Sequence, residues 1–425
     1  MCSKTKKIDE WEEMPISRLA KFSRGISWSK SEESEDGTIV ISIPNIKDGK
    51  IDFDSKYNHY ISKTIPENKR LHIGDIIFVG SSGSIHNIGR NAFVKSLPTD
   101  VVAFASFVFK AIPELDYVDP SFFYFLCNSP QVPFERYTKR AADGKFNFQL
   151  RDFENNLVLK VPPLPEQKAI ARVLNTVQEA IAGQEALIAK LKELKRSMMH
   201  HLFTHGTKGE NTKMTEIGEV PESWEVANLA QFSEKQLYIQ NGFPCGNWND
   251  QGVGILQIRP FNITDEGKIS LSSQKHIDTD KHLDSYLLKK KDIVFNNTNS
   301  EELVGKTAQW LEDVQAVLSN HMTIIRVLDD NIFDQTYLAN YLHHFWRAGE
   351  FLKLCRRHVN QASVSIERLT NLGIPYPRID EQKVIGRAIS AMDNKIEATE
   401  DKLALYRNLF ETLLHELMSG ERRVK

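Results

Sequence analysis

Two stretches of short polar side chains, each followed by a glycine and a cation, are the first candidates for ligand binding. The first follows Asp75-Ile-Ile-Phe and contributes Ser82, Ser84, His86, Asn87 and Arg90. The second follows Asp292-Ile-Val-Phe and contributes Asn296, Asn297, Asn299, Ser300 and Lys306. Hydroxyl and amide side chains beside a cation are the types that bind DNA phosphates and base edges. The alternative is a turn whose Ser and Asn side chains cap the backbone. The repeated glycine and cation favour ligand binding.

Basic residues followed by Asn or Gln form a second pair of candidate clusters. The first consists of Lys139, Arg140, Lys145, Asn147 and Gln149. The second consists of Arg356, Arg357, Asn360, Gln361 and Ser363. Such residues can supply phosphate contacts together with bidentate readers of adenine. A solvated helix end, where the helix dipole favours cations, is the alternative. Because the two clusters differ in detail, they predict one scaffold that carries two specificities.

Signatures of catalysis and of metal binding are missing from the sequence. Gly305-Lys-Thr is similar to the end of a phosphate-binding loop, but Ser300 stands where that loop needs its first glycine. There is no His-Glu-x-x-His motif and no glycine-rich dinucleotide fingerprint. His201 and His205 are spaced to share a helix face, but no third metal ligand is evident. We therefore expect no catalytic residue, no metal site and no directly bound cofactor.

The composition predicts a protein with a substantial core that works inside the cell. The chain has 425 residues, 41% of them hydrophobic, and its mean hydropathy is −0.38. Its longest apolar run, 101–109, is far shorter than the roughly 20 residues of a membrane helix, and the N-terminus lacks the apolar region of a signal peptide. Four cysteines without a Cys-x-x-Cys pair are typical of the reducing cytoplasm. The net charge of −2 excludes a uniformly basic protein but allows a local basic groove.

The chain is a duplication of one long unit. Two Glu-Gln-Lys triplets begin at Glu166 and Glu381, and the spacing between them, here called the repeat offset, is close to half of the chain. The repeat offset also relates Ile43 to Ile258 and Asp119 to Asp334. In both halves, strand-like segments precede a helix-like stretch (120–137 and 335–355), a short strand that ends in prolines, and a long helix. The predicted bounds are a first domain at 1–162, a helix at 163–206, a linker at 207–221, a second domain at 222–376 and a helix at 377–425.

The two long helices show the heptad spacing of a coiled coil. Of ten positions spaced alternately four and three residues apart from Ile170 to Leu202, eight are apolar. The positions one repeat offset later, from Ile385 to Leu417, hold nine apolar residues. Two amphipathic helices, each docked on its own domain, are the alternative, but such helices usually have wider apolar faces. Tandem repeats whose helices meet within one chain favour an antiparallel, pseudo-two-fold arrangement.

These features resemble the specificity subunits of type I restriction-modification enzymes. The matching motifs are Gly218-Glu-Val-Pro-Glu-Ser-Trp224, the two Asp-Ile-Ile/Val-Phe segments with their later Gly-cation pairs, and the proline-rich Glu-Gln-Lys entries to both helices. Their duplicated order covers nearly the whole chain. One departure is Lys291, which stands where Gly74 precedes the first aspartate. The expected fold is α+β, with two tandem α/β target recognition domains separated by two long helices that form an antiparallel coiled coil.

The resemblance implies a DNA-recognition subunit that is not catalytic by itself. Each domain would read one half of a split, asymmetric double-stranded DNA target, and the helices would set the gap. The implied partners are two methyltransferase (M) subunits and the restriction (R) subunits, which would bind S-adenosylmethionine, ATP and Mg²⁺. A solitary coiled-coil DNA-binding repressor is the alternative, and a nuclease or methylase with unrecognised chemistry is a third possibility.

Overall fold

The computed structural model describes residues 11–244, 247–359 and 361–424. The chain divides into two compact units. Unit 1 is Met1–Glu185 with Lys402–Lys425, and unit 2 is Ala186–Asp401. Each unit therefore joins one globular region to a segment of each long helix.

The strands and helices of unit 1 are short, apart from one helix that continues into unit 2. The strands are β1 (Glu12–Pro15), β2 (Ala20–Arg24), β3 (Glu33–Ile41), β4 (Ile46–Lys47), β5 (Lys50–Ile51), β6 (His59–Ile61), β7 (Ile76–Val79), β8 (Ser81–Ser82), β9 (Asn91–Phe93), β10 (Ala103–Phe104), β11 (Val108–Pro113), β12 (Thr138–Arg140), β13 (Phe146–Phe148) and β14 (Val158–Val161). The helices are α1 (Ile16–Leu19), α2 (Pro120–Cys127), α3 (Leu150–Asn156) and α4 (Leu164–His205), the last of which reaches unit 2.

Unit 2 repeats these elements in nearly the same order. Its strands are β15 (Thr212–Thr215), β16 (Gly218–Pro221), β17 (Glu225–Asn228), β18 (Leu237–Asn241), β19 (Ile255–Ile258), β20 (His276–Ile277), β21 (Ile293–Asn296), β22 (Thr298–Asn299), β23 (Thr307–Gln309), β24 (Ala316–Leu318), β25 (Met322–Val327), β26 (Arg356–Arg357), β27 (Ala362–Ser363) and β28 (Gly373–Tyr376). Its helices are α5 (Gln335–Arg347), α6 (Phe351–Leu354), α7 (Ile366–Thr370) and α8 (Ile379–Ser419), the last of which reaches unit 1.

Matching small sheets build the globular part of each unit. A four-stranded antiparallel sheet has the order β2-β11-β7-β9 in unit 1 and β18-β25-β21-β23 in unit 2. A mixed sheet has the order β10-β3-β6 in unit 1 and β24-β19-β20 in unit 2. The Asp-Ile-Ile/Val-Phe motifs form the buried strands β7 and β21. Apolar side chains on both faces of these strands explain their continuous hydrophobic sequence.

The structure differs from the sequence predictions at three places outside the candidate site. In the mixed sheets, β10 pairs Phe104 with Ile41 while β24 pairs Leu318 with Ile258, so Ile41 rather than Ile43 is the equivalent of Ile258. The segment 207–221, predicted as a linker, contains the hairpin of β15 and β16. The helix expected over 120–137 ends at Cys127, since the two prolines at 130 and 133 in the following segment cannot continue helical hydrogen bonding.

Within each unit, the segments of α4 and α8 run antiparallel. In unit 1, Arg423 contacts Glu166 near the start of α4, whereas Arg407 contacts Glu185 further along α4. In unit 2, Lys192 contacts Glu400, and Thr207 just after α4 contacts Glu381. As the number rises along α4, the partner's number falls along α8. All twenty of the predicted heptad positions are buried or half-buried, which confirms the helix pairing within each unit.

The duplicated Glu-Gln-Lys triplet ties each long helix to its domain. The side-chain oxygen of buried Gln167 accepts a hydrogen bond from the backbone N–H of Asp119, and Gln382 accepts the same bond from Asp334. Asp119 and Asp334 in turn cap α2 and α5 through their carboxylates. One buried amide therefore joins the long helix to the start of a second helix in each unit, which explains why the glutamine of the triplet recurs.

Candidate nucleic-acid interface

In unit 1, a three-stranded antiparallel sheet brings the two predicted clusters together. Strand β13 lies between β8 and β12. Asn147 on β13 stands opposite Lys139 on one side and Ser81 on the other. Ser82 and Asn147 are far apart in the sequence, so only the tertiary structure makes them members of one surface.

Unit 2 builds the same sheet from its own two clusters. Strand β27 lies between β22 and β26. Ser363 on β27 stands opposite Arg356 and Thr298, and Ala362 stands opposite Arg357 and Asn299. The two clusters of the second half therefore also share one surface.

The strand registers define which residues of the two interfaces are equivalent. Lys139 corresponds to Arg356, and Arg140 corresponds to Arg357, so both interfaces carry two cations on their outer strand. On the central strand, Asn147 corresponds to Ser363. Both candidate interfaces thus keep two cations on the outer strand, whereas the equivalent central-strand residue is an amide in one and a hydroxyl in the other.

The candidate residues of unit 1 lie at the surface or are half-buried, and several restrain one another. The hydroxyl of Ser82 accepts hydrogen bonds from the Asn87 side chain and from the backbone N–H of Ser84. Arg90 donates to the carbonyl oxygen of Ile43 and is half-buried. The exposed candidates are Ser84, His86, Lys139, Arg140 and Lys145, whereas Ser82, Asn87, Asn147 and Gln149 are half-buried.

Two of these exposed side chains contact neighbouring carboxylates. Nδ1 of His86 lies 3.4 Å from Glu135, and Nζ of Lys145 lies 3.6 Å from Asp143. Lys139 forms no ion pair with any residue that the structure describes. Its ammonium group is therefore available to an external anion.

In unit 2, the candidates on the outer and central strands are accessible. Arg356, Arg357 and Gln361 are exposed, and Ser363 is half-buried. Arg357 contacts Glu301 at 3.1 Å, whereas Arg356 has no carboxylate partner within the described ranges. Asn299 and Ser300 are half-buried in the facing loop. Asn360 lies outside the described residues.

Three predicted contacts of unit 2 are instead structural. Asn296 is fully buried, and its amide donates to the carbonyl oxygen of Leu303. Asn297 is buried and donates to Asn241 and Thr323. Lys306 is only 7% exposed, and its ammonium group lies 2.6 Å from Asp265. Burial and internal hydrogen bonds leave these side chains no surface for DNA, so the prediction is wrong for them in this structure.

The repeated glycine before the cation also has a structural cause. Gly89 and Gly305 both have positive φ, at 80° and 88°. A Cβ atom would lie 2.2 Å from the Phe134 ring at Gly89 and 2.2 Å from the Phe351 ring at Gly305. Glycine is needed for the backbone conformation and for the aromatic contact. The repeated Gly-cation pattern therefore does not by itself mark a ligand site.

The aspartates of the two strand motifs form buried ion pairs with the neighbouring strand. Asp75 contacts Lys110 at 2.8 Å, and Asp292 contacts Arg326 at 2.6 Å. Each aspartate also accepts a backbone N–H in the preceding turn, from His72 or Lys289. This framework holds strands β7 and β21, from which the polar loops emerge. It positions the interface without contributing to it.

An aromatic side chain with two neighbouring cations was missed by the sequence analysis. Trp248 is 46% exposed, with Nζ of Lys275 at 3.8 Å and the Arg259 guanidinium at 5.3 Å from its ring centroids. Cations over an exposed tryptophan are attracted to the ring and can also contact phosphate. The sequence offered only a lone Trp, since both of its cations come from segments further along the chain.

The described residues show no metal site and no membrane-spanning helix. No group of three or more His, Cys, Asp or Glu side chains among them is arranged to hold a metal ion. None of their helices is long and apolar enough to cross a bilayer.

Comparison with known proteins relates both halves of the chain to one family. Residues 8–193 and 221–405 each match the model of the type I restriction modification DNA specificity domain. A putative type I restriction enzyme MjaX specificity subunit from Methanocaldococcus jannaschii is 31% identical over 50% of this chain, a match that spans 49% of that relative. The chain thus spans about half the length of this relative.

Two other proteins are similar over almost the whole chain. The type I restriction enzyme StySPI specificity subunit of Salmonella potsdam is 22% identical over 97% of this chain and 89% of its own length. The crystal structure of a type I restriction-modification S subunit from M. genitalium has a TM-score of 0.56 at 13% identity and 98% coverage of both chains, which shows the shared fold. With two matches that together cover most of its length, the chain belongs to the type I restriction-modification DNA specificity family and carries two recognition domains.

Proposed function

We propose that this chain selects the DNA target of a type I restriction-modification complex, with each domain reading one half of a split, asymmetric sequence. The observation that carries this proposal is the duplicated three-stranded sheet. Both copies retain cations on the outer strand, but the central strand presents Asn147 in one and Ser363 in the other. An amide can bind adenine through two hydrogen bonds, whereas a hydroxyl is less selective. Trp248 and its two cations are a further candidate DNA contact in the second domain.

The chain acts without catalysis of its own and without a directly bound cofactor in this proposal. Two methyltransferase subunits would supply S-adenosylmethionine, and restriction subunits would supply ATP- and Mg²⁺-dependent cleavage in the cytoplasm. Family membership and the specificity-subunit names of the relatives support this assignment. The solitary repressor gains no support from these matches.

The long helices would set the gap between the half-sites and dock the methyltransferase subunits. Leu194 on α4 and Leu409 on α8 are related by the repeat offset and are 53% and 43% exposed. Exposed leucines at equivalent positions of two paired helices give each unit an apolar contact for a partner. Equivalent positions would suit two copies of the same methyltransferase subunit.

The proposal is tested by changing one central-strand residue at a time. The full chain is reconstituted with its methyltransferase subunit, and the methylated sites on a randomised DNA library are sequenced. Asn147→Ala should relax one or two base pairs of one half-site, at about 1–3 kcal/mol per lost base contact. Ser363→Ala should affect only the other half-site. Lys290→Ala, an exposed position outside both three-stranded sheets, is the control. A variant that relaxed both half-sites would contradict the assignment of one reader to each domain.

A further inference from the structure

Unit 2 contains a cavity of about 740 Å³ where its globular part meets its two helix segments. The wall is formed by residues 192–200 of α4, residues 393–400 of α8, the turn at 264–269 and the end of α5. This volume lies within the range of about 300–1,000 Å³ that is typical of small-molecule sites. The DNA-specificity assignment gives this cavity no role.

The cavity is lined by cations, two of which have no carboxylate partner. Lys195 pairs with Asp393 at 2.7 Å, and Lys192 pairs with Glu400 at 2.8 Å. Arg196 makes no ion pair with any residue described by the structure. The Arg347 guanidinium donates to the backbone carbonyl of Asp265 at 2.6 Å, but it has no ion pair within the described part of the chain. The lining also contains Lys268 and Glu266, so five cations face three carboxylates and the cavity carries a net positive charge.

Two histidines in the same wall are held neutral, mainly by burial. His343 is only 4% exposed, and burial together with the charges of Lys195 and Arg347 lowers its pKa to about 3. Burial and the neighbouring His200 lower the pKa of His344 to about 4. Both imidazoles are neutral at pH 7, so they add hydrogen-bonding capacity without adding to the charge. An anion in the cavity would offset the potential that disfavours their protonation.

Unit 1 provides an internal comparison, because its helices have different residues at the equivalent positions. Phe410 occupies the position of Lys195, and Gln178 occupies that of Asp393. The Phe410 ring lies against Phe125, with 6.0 Å between the ring centroids. The ion pair of Lys192 with Glu400 does have an equivalent in unit 1, because Arg407 lies 2.7 Å from Glu185. Glu411 occupies the position of Arg196, so a carboxylate replaces one of the two unpaired cations and unit 1 lacks this basic wall.

A second cavity near that retained ion pair in unit 1 has balanced charge. It measures about 650 Å³ and is lined by three cations and three carboxylates, namely Lys47, Lys50, Arg407, Asp48, Asp52 and Glu185. Neither Phe410 nor Phe125 lines it. The cavity of unit 1 therefore has equal numbers of cations and carboxylates, whereas the cavity of unit 2 contains two arginines that form no ion pair with the described residues.

We propose that the unit 2 cavity binds a small phosphate-bearing anion of up to nucleotide size. Arg196 and Arg347 would hold the phosphate oxygens, because the planar guanidinium fork matches the geometry of an oxyanion. The apolar side chains of Met199, Ile269 and Ile396 would contact the uncharged part of the ligand. This site is separate from the DNA interface, so its ligand would be a small molecule and not the target duplex.

Calorimetric titration of the full chain, without DNA, with inorganic pyrophosphate and separately with ATP tests the proposal. We expect saturable binding of at least one probe, weakened about tenfold or more by Arg196→Gln and by Arg347→Gln. Tighter binding of ATP would identify a nucleotide ligand, and equal binding would identify the phosphate group as sufficient. Arg407→Gln, which changes the guanidinium of the unit 1 cavity, is the matched control and should bind both probes normally.

A graft of the unit 1 residue gives a second test. Arg196→Glu reproduces Glu411 of unit 1, and it should abolish probe binding while leaving DNA recognition intact. Should the graft fail to fold, the two surface arginine variants still decide the matter. The proposal is overturned if wild-type protein binds neither probe, or if both arginine variants bind normally. It is equally overturned if Arg356→Ala, in the DNA interface, is the change that removes binding.

Discussion

The two units of this chain use the same buried framework to support different surfaces. The ion pair of Asp75 with Lys110 recurs as Asp292 with Arg326, and the aromatic contact of Gly89 recurs at Gly305. These shared features lie beneath the candidate interface. On the candidate interface, the two cations of the outer strand are common to both units, while the central-strand residue differs. The comparison teaches that buried contacts maintain the scaffold, whereas a few surface positions are free to set specificity.

The paired helices show the same division between shared and individual features. Glu166 forms an ion pair with Arg423, and Glu381 forms one with Lys208. In each unit, a cation just after the end of one long helix therefore contacts the start of the other. Lys208 and Arg423 are related by the repeat offset, like the two glutamates. Elsewhere along the helices the equivalence is lost, because Phe410 of α8 stands at the position that Lys195 occupies in α4. The ion pairs at the helix ends are thus duplicated, whereas the residues at positions 195 and 410 are not.

Breaking one buried ion pair should have the largest effect. Asp292→Ala leaves the Arg326 guanidinium buried without its partner, so we expect the free energy of unfolding to fall by about 3–5 kcal/mol. Asp75→Ala should act similarly by isolating Lys110. Chemical denaturation of the full chain measures both. Asp313→Ala, which removes an exposed partner of Lys290, should cost less than about 1 kcal/mol. Equal losses from exposed and buried pairs would show that the shared framework is not what stabilises the units.

A methyl group at either shared glycine should have the next largest effect. Gly89→Ala and Gly305→Ala combine a strained positive φ with overlap on a phenylalanine ring, and each should cost about 1–3 kcal/mol. Thermal unfolding measures the loss. The matched change Gly83→Ala meets nothing within 4 Å and should be nearly neutral. Normal stability of both variants would refute the structural explanation of the Gly-cation motif.

Removing the shared outer-strand cations should weaken DNA binding without changing the sequence read. Lys139→Ala and Arg356→Ala should each reduce the slope of log K against log salt by about 0.9, as expected for one lost phosphate contact. Fluorescence anisotropy across a salt series measures this slope. Lys290→Ala, an exposed cation away from both sheets, is the control. An unchanged slope with altered base preference would show that these cations read bases.

The pH dependence of stability should reveal a smaller contribution from the start of α8. Burial raises the pKa of Glu381, but hydrogen bonds from Lys208 and Thr207 outweigh it and hold that pKa below the ordinary value of 4.5. Because the folded pKa is the lower one, the stabilisation is present above pH 4.5 and is lost as pH falls through the folded pKa. Denaturation of wild type and Glu381→Gln between pH 7 and pH 3 should converge at the acidic end. Parallel curves would contradict the contribution of this carboxylate.

The duplication, the heptad pattern of both helices and the order of elements in each half could all be predicted from the sequence. These properties follow from local periodicity and from repeated motifs, which need no knowledge of distant contacts. The sequence also predicted phosphate contacts for Lys139, Arg140, Arg356 and Arg357, and all four are exposed in the structure. It could not distinguish these from Lys306, because residue type and spacing do not reveal whether a cation is buried against a carboxylate.

Which of the motifs lie on one surface became apparent only from the fold. Strands β8 and β13, and likewise β22 and β27, pair residues that are distant in the sequence, and no local pattern encodes that register. The structure also assigned Asp75, Gly89 and Gln167 to the scaffold, because their partners come from other elements. Likewise, the difference between Phe410 and Lys195 is visible in the sequence, but its consequence depends on what surrounds each side chain. Whether a side chain is buried, and which residue it contacts, are properties of the folded chain. They distinguish the residues that hold the candidate DNA-binding surface in place from the residues exposed on it.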